Sequence, residues 1–276
     1  MKFIASGSGY LLQFLFDNIK NKSKNNVKSL LTNKMVKVNS KVITKYDYLL
    51  KEGDVIQVIK KVDNEIDIIY EDNDLIVVNK PSGLLTISTE KERVKTLYRF
   101  VSDYIKKINK NYKIFVIHRL DKDTSGLVMF AKNEKIKNFL QNNWNEIVTR
   151  KYYAVVEGKV IKDSGTIKSY LKENTFHKTF SSDKGLLSIT EYKVLKRSEN
   201  TLLEINIKTG RKNQIRVHLN DINHSIVGDK KYNSKIKAER LMLHAYSIYF
   251  KMNGKDYLFE TEIPKLFNTY LNKKKT

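Results

Sequence analysis

One short loop concentrates residue types that can do chemistry. Ile117-His118-Arg119-Leu120-Asp121-Lys122-Asp123-Thr124-Ser125-Gly126-Leu127-Val128-Met129 sets carboxylates, cations and hydroxyls between two apolar runs. Its side chains are therefore expected at a sheet edge that holds them still. Asp121, Asp123, Ser125 and Gly126 match the first, third, fifth and sixth positions of a calcium-binding loop, but the twelfth position, where Glu is required, is Lys132, and that reading fails. A plain tight turn remains open, with Asp and Ser bonding their own backbone and Gly126 supplying a positive φ. A second stretch, Lys208-Thr209-Gly210-Arg211-Lys212-Asn213-Gln214-Ile215-Arg216-Val217-His218-Leu219, reads as a turn feeding a helix, with Ile215 and Leu219 as an i, i+4 apolar pair. Gly210 allows close backbone approach, and Arg211 and Arg216 offer planar forks for phosphate or carboxylate. A solvated basic helix start is the plainer alternative, above all for Arg211. Between these stretches lies Arg150-Lys151-Tyr152-Tyr153-Ala154-Val155-Val156-Glu157-Gly158. Its adjacent tyrosines point to opposite faces of a strand, one for the core and one for a site.

The elements that position these groups fall into two textures. Residues 1–60 carry helical apolar spacing at Leu11, Leu12, Leu15, Phe16 and Ile19, then at Val27, Leu30 and Leu31, which predicts two short helices. Small strands follow at Met35 to Val38, Val42-Ile43 and Val55 to Val58, with turn residues at Asn39-Ser40-Lys41. This module holds 11 Lys against four acids, a net charge of +7. Residues 61–66 read as a charged linker. From there strands are expected at Ile66 to Tyr70, Leu75 to Val78, Ile114 to Ile117, Leu127 to Ala131, Tyr152 to Val156, Leu187 to Leu195 and Leu202 to Ile207. Helices are expected at Thr96 to Ile108 and Asn133 to Trp144. The fold class is therefore α+β: a mixed, mainly antiparallel sheet domain over 67–270 with flanking helices, behind a small N-terminal αβ module. Residues 271–276, ending in Lys273-Lys274-Lys275, read as a frayed basic tail.

Composition narrows the function. The chain has 276 residues and 52 Lys plus Arg against 30 Asp plus Glu, a net charge of +22 that predicts a polyanionic partner. With 41% hydrophobic residues it is no disordered basic tail protein. Only eight of the cations are Arg. The Lys excess matches what an AT-biased coding sequence produces on a solvated surface, but that drift leaves Arg119, Arg211 and Arg216 unexplained. The absence of Cys excludes disulfides, iron–sulfur clusters, Cys-ligated zinc and thiol nucleophiles, and the five His lack ligand spacing, so no metal site is expected. No apolar run approaches a membrane span and the N-terminus lacks signal-peptide zones, so a cytoplasmic location is expected.

Six ordered stretches resemble the RluA-type pseudouridine synthases: Glu71 to Gly83, the His118 to Leu127 loop, the Lys151 to Gly158 strand, Thr209 to His218, Ile226 to Tyr232 and Arg240 to Ala245. Residues 1–60, with two helices followed by V-x-V-N-x-K-V and G-D-V-I, are similar to the S4 RNA-binding module, although the Arg usual in its helices are absent. The resemblance implies isomerisation of uridine to pseudouridine in RNA, with no metal, nucleotide or redox cofactor. It places the catalytic aspartate at Asp121, acting as a nucleophile or through a glycal path. Arg216 then pairs with that aspartate and holds it ionised, and Tyr152 stacks on the uracil and assists at C5. Arg119 falls where the family fills the space of the flipped base, with an ordinary phosphate contact as its alternative. His118, Arg211 and Asn213 join the RNA-contacting set, although a hydrogen-bonded structural role is the commoner one for His118, and Asn213 stands where His is more usual. Arg150 stands where Lys is usual. In the S4-like module the RNA contacts fall on Lys24, Lys28, Lys34 and Lys37. An S4 appendage favours structured ribosomal RNA over tRNA as substrate. A non-catalytic ribosome-assembly factor is the competing class, and a monomer is the default.

Overall fold

The computed structural model describes residues 1–20, 23–32, 35–58, 66–90 and 92–273. Lys34 and residues 61–65 of the expected linker lie outside them. Internal contacts divide the chain into Met1–Glu65 and Ile66–Thr276.

The first unit runs β1 (Lys2–Ile4), β2 (Gly9–Tyr10), α1 (Leu11–Asn18), α2 (Lys24–Thr32), β3 (Val36–Val38), β4 (Lys41–Val42), β5 (Leu49–Leu50) and β6 (Val55–Val58). A four-stranded sheet in the order β1-β6-β3-β4 and the pair β2-β5 back onto the two helices. The apolar spacing of the helices delivers Leu11, Leu15, Val27 and Leu31 to one core with Val36 and Ile56. Asn39 and Ser40 both adopt positive φ, the geometry of a tight two-residue hairpin turn between β3 and β4. Lys24 and Lys28 lie exposed on α2, one turn apart, while Lys37 is half-buried in β3.

The second unit contains β7 (Asp67–Glu71), β8 (Leu75–Lys80), α3 (Leu97–Ile108), β9 (Phe115–Val116), β10 (Ser125–Ala131), α4 (Glu134–Asn142), α5 (Trp144–Ile147) and β11 (Thr149–Val156). It continues with β12 (Ser164–Glu173), β13 (Thr179–Ser182), β14 (Leu186–Arg197), β15 (Thr201–Ile207), α6 (Gln214–Asp221), β16 (Leu243–Met252), β17 (Lys255–Glu260) and α7 (Lys265–Leu271). Its sheet has the order β13-β12-β14-β15-β11-β16-β10-β8-β7, with β17 and β9 on side branches. Every pairing is antiparallel except β10 with β16. The central strands are apolar on both faces because each face is covered. Val128 and Phe130 of β10 meet Leu97, Val101 and Ile105 of α3, whereas Leu127 and Met129 meet Ile136 and Leu140 of α4. Full burial of such side chains contributes about 1.5–3 kcal/mol each. The helix starts expected at Thr96 and Asn133 are the N-caps of α3 and α4, accepting from Arg99 N and Ile136 N.

One sequence expectation changes here, and one hairpin is added. The residues read as a frayed tail from 271 onward are anchored through 273. Leu271 is buried, its carbonyl accepts from Asn200 N, and the Asn200 side chain donates to Lys273 O at 2.7 Å. The β12–β13 hairpin was not foreseen, since the alternate residues of β12 are only half covered and make no apolar run. No helix among the described residues is long and apolar enough to cross a membrane.

Candidate active site

The loop before β10 is held by the segment that follows β8. Thr86 Oγ1 donates to Leu120 O at 2.8 Å, Gly83 N to Lys122 O at 2.9 Å and Ser82 Oγ to Asp123 O at 2.6 Å. Lys80, fully buried, donates from Nζ to Pro81 O, Leu84 O and Lys122 O. The carbonyls on either side of Asp121 are thus fixed, which orients its carboxylate without touching it. Burial pulls the Lys80 ammonium down to about 7, opposed by Asp121 and Asp123. Lys80 lies within the Glu71 to Gly83 stretch, and nothing in its spacing signals that its charge is buried.

Across the cleft stands α6. Asn213 caps it in the left-handed conformation, which Asn tolerates. Gln214 fastens the preceding turn to β14: it accepts from Thr209 Oγ1 and Arg211 N, and donates to Ile189 O and Thr190 Oγ1. His218, two residues beyond Arg216, bonds Thr190 and Ser169 and is structural.

Arg216 does not pair first with Asp121. Its Nε and Nη2 form a two-point bridge with Asp229, 2.7 Å each, and its Nη1 donates to Asn213 Oδ1 at 3.0 Å. Asp121 lies 3.9 Å from Nη1, at the outer limit of an ion pair. Arg216 is thus within ion-pair reach of Asp121 while its hydrogen bonds go to Asp229 and Asn213. Burial pushes the Asp121 carboxyl up, and Arg216, Arg119, Lys80 and Lys212 oppose it without winning. The physical reason is that Asp229, with a fully buried side chain, already neutralises most of the guanidinium. Asp229 is positioned in turn by Glu157, whose Oε1 accepts from Ser234 Oγ, Lys235 N and Ile236 N and so folds the 229–236 loop. Asp229 was missed because a loop acid carries no local pattern; its place in the Ile226 to Tyr232 stretch was the one available signal.

Tyr152 and Tyr153 part as strand alternation requires. Tyr152 is buried and faces the cleft, and Tyr153 stacks on Tyr246 with ring centroids 3.8 Å apart. Burial raises the Tyr152 hydroxyl, and Asp121 adds to that shift. His118 leaves the site: its Nε2 accepts from Met129 N at 3.0 Å and its ring stacks on Trp144 at 4.7 Å. Burial pushes it down to about 3, so it is a neutral structural ring. Arg119 and Arg211 are exposed at the mouth, and Arg150, absent from the expected set, is buried in the wall.

The resulting cleft, open to solvent on one side, is lined by Arg119, Asp121, Arg150, Tyr152, Arg211 and Arg216 among others. Four of the chain's eight arginines meet there around one carboxylate, the only acid among the described lining residues. No group of His, Asp and Glu among the described residues could hold a metal ion. A single carboxylate of raised basicity, an aromatic wall and a cationic mouth define the class: an enzyme acting on a polyanion at one enclosed unit.

Comparison with known proteins makes that class specific. Residues 74–221 match the RNA pseudouridylate synthase family. Ribosomal large subunit pseudouridine synthase D of Borreliella burgdorferi is 34% identical over 84% of this chain and 77% of its own length. Ribosomal large subunit pseudouridine synthase C of Rickettsia prowazekii is 34% identical over 82% and 77%. Among solved structures, human RNA pseudouridylate synthase domain containing 1 shares the fold, with a TM-score of 0.64 and 23% identity over 77% of this chain and 89% of that one. The chain belongs to the RNA pseudouridylate synthase family and is an isomerase of uridine to pseudouridine in RNA.

Proposed function

We propose that the enzyme isomerises one or a few uridines of large-subunit ribosomal RNA, with Asp121 as the reacting carboxylate. The observation that carries the catalytic assignment is the solitary carboxylate, its flanking carbonyls pinned by Lys80, Ser82 and Gly83, in a cleft ringed by arginines. Attack on C1′ and removal of the C2′ proton are the two routes open to it, and both start from the same anionic oxygen. Burial makes that oxygen more basic and hence the stronger reagent for either. Tyr152 covers the base on the buried side and is available to the C5 proton. Arg216, oriented by Asp229, supplies a fixed positive field beside Asp121. Arg119 and Arg211, exposed at the mouth, suit the phosphates of a flipped nucleotide and the space the base has left. The names of the B. burgdorferi and R. prowazekii relatives support ribosomal RNA as substrate. Residues 1–60 act as an S4-like anchor on structured RNA, with exposed Lys24 and Lys28 on α2 and half-buried Lys37 on β3.

Pseudouridine mapping of ribosomal and transfer RNA tests this reading, in cells with the gene, without it, and with Asp121→Asn. Deletion is expected to remove pseudouridine at discrete positions of large-subunit RNA, and Asp121→Asn is expected to bind RNA normally without restoring them. Loss confined to tRNA overturns the substrate, and unchanged maps overturn the catalytic assignment in favour of an assembly factor.

A further inference from the structure

We propose that Arg150 stabilises the departing uracil ring, by hydrogen bonding to the ring oxygens that gain negative charge as the N1–C1′ bond breaks. The inference rests on the isomerase reading and assigns a task to a residue that reading leaves idle.

Arg150 and Tyr152 leave the same face of β11 and line the same cleft as Asp121. Arg150 is only 7% exposed, yet its Nε is buried with no hydrogen-bond partner, and no carboxylate among the described residues pairs with it. Buried guanidinium groups are otherwise paired, as Arg216 is with Asp229. Burial accordingly lowers the Arg150 pKa, and no carboxylate opposes that shift. Its firm contact is with Trp144, whose ring lies 5.3 Å from the guanidinium carbon. Trp144 is itself backed by His118, which Met129 N fixes. Gly210 also stands against the guanidinium, and a Cβ there would lie 2.8 Å from Nη1. The absence of a side chain at 210 leaves the guanidinium room to face the cleft. Nε is closed off from the cleft, so a ligand there meets the terminal nitrogens of this guanidinium, which is preorganised with no protein acceptor.

The chemistry selects the ligand. Phosphates are matched by the exposed Arg119 and Arg211 at the mouth, whereas Arg150 lies in the wall beside Tyr152, where the base enters. When the N1–C1′ bond breaks, its electron pair passes to N1 and spreads over O2 and O4. C1′ takes a new bond from the Asp121 oxygen, or forms a double bond to C2′ as that proton leaves. Re-attachment through C5 breaks the C1′–oxygen bond and frees the Asp121 carboxylate, or returns to C2′ the proton that Asp121 took; the C5 proton then leaves, and N1 gains one. No outside reagent is required, but the ring is anionic between the two bonds, and that charge is what Arg150 meets.

The test compares wild type, Arg150→Met and Arg150→Lys in single turnover on unmodified large-subunit ribosomal RNA transcripts made with uridine or with 5-fluorouridine. Fluorine at C5 stabilises the ring anion, and consumption of the N1-linked nucleoside is read in nuclease digests. Because each ratio is taken on one RNA, differences in RNA folding cancel. Arg150→Met is expected to slow the uridine reaction about 100-fold, as loss of an oxyanion donor does, with RNA affinity nearly unchanged. Arg150→Lys is expected to recover most of the rate, and the Met deficit is expected to shrink about tenfold on 5-fluorouridine. Equal deficits on both substrates, a loss confined to RNA affinity, or a Lys variant no better than Met would each overturn the proposal. A wild-type enzyme that converts no uridine would overturn the isomerase assignment first, which keeps the two failures apart.

Discussion

Replacing Asp229 by Asn tests whether the site depends on a second carboxylate that never meets substrate. The wild-type acid makes two 2.7 Å contacts to Arg216 from a side chain with no exposure, and Oδ1 also accepts from Lys231 N and Tyr232 N. Asn keeps the volume and one acceptor but removes the charge and turns an NH2 toward donors. Breaking a buried pair from one side costs about 3–5 kcal/mol. In a domain of this size that lowers Tm by roughly 10 °C. The released guanidinium, 3.9 Å from Asp121, closes on the catalytic carboxylate, lowers its pKa and occupies its lone pairs. The single-turnover rate is therefore expected to fall by at least tenfold while the acid limb of the rate–pH profile moves down. A double-mutant cycle isolates the coupling, because with Arg216→Met already present Asp229→Asn should add little. A melting point within 2 °C of wild type together with a rate within a factor of two would refute the reasoning.

Three further outcomes are expected. Gly126→Ala should yield little folded protein in a solubility and thermal-melt assay, because Gly126 sits at φ +117° and its Cβ would fall 2.1 Å from Ala245 O; a stable variant would disprove the β10–β16 pairing. Folding stability should decline with acid below about pH 6.5. Buried His244 is pushed down to about 4 by burial and then Arg240, so between the two values the unfolded chain binds a proton that the native state refuses. At pH 5 this term alone removes about 2 kcal/mol, His118 acts in the same direction, and denaturant titrations of His244→Gln against wild type would read the difference. RNA affinity should fall steeply with salt, with a log–log slope of magnitude about 4 or more; a flat titration would mean that the net charge of +22 is compositional drift.

The parts of this site that could be read in advance were those with local signatures. The polar loop at 118–124 and the Gly210 turn into α6 declare themselves by composition, and Tyr152 separates from Tyr153 by simple alternation. Thr96 and Asn133 were legible as helix starts because caps are local. What stayed hidden depends on distant packing. Arg150 was visible as a residue type, but its lack of a partner follows from the shelf of Trp144 and the bare backbone at Gly210. The Asp229–Arg216 bridge is created by a loop that Glu157 folds from another strand. His118 was drawn into the expected set by its neighbours in sequence, although the chain turns its ring toward Met129 and Trp144.

The place of β16 in the sheet has a consequence for biosynthesis. Asp121 precedes β10 on one half of the sheet, Tyr152 and α6 belong to the other, and the strand that joins the halves, Leu243–Met252, follows all of them along the chain. While the polypeptide is still threading from the ribosome, the carboxylate and its arginine have no common scaffold. Activity thus requires that Leu243–Met252 has been made and has entered the sheet, so copies that stop short of it have no means to alter RNA.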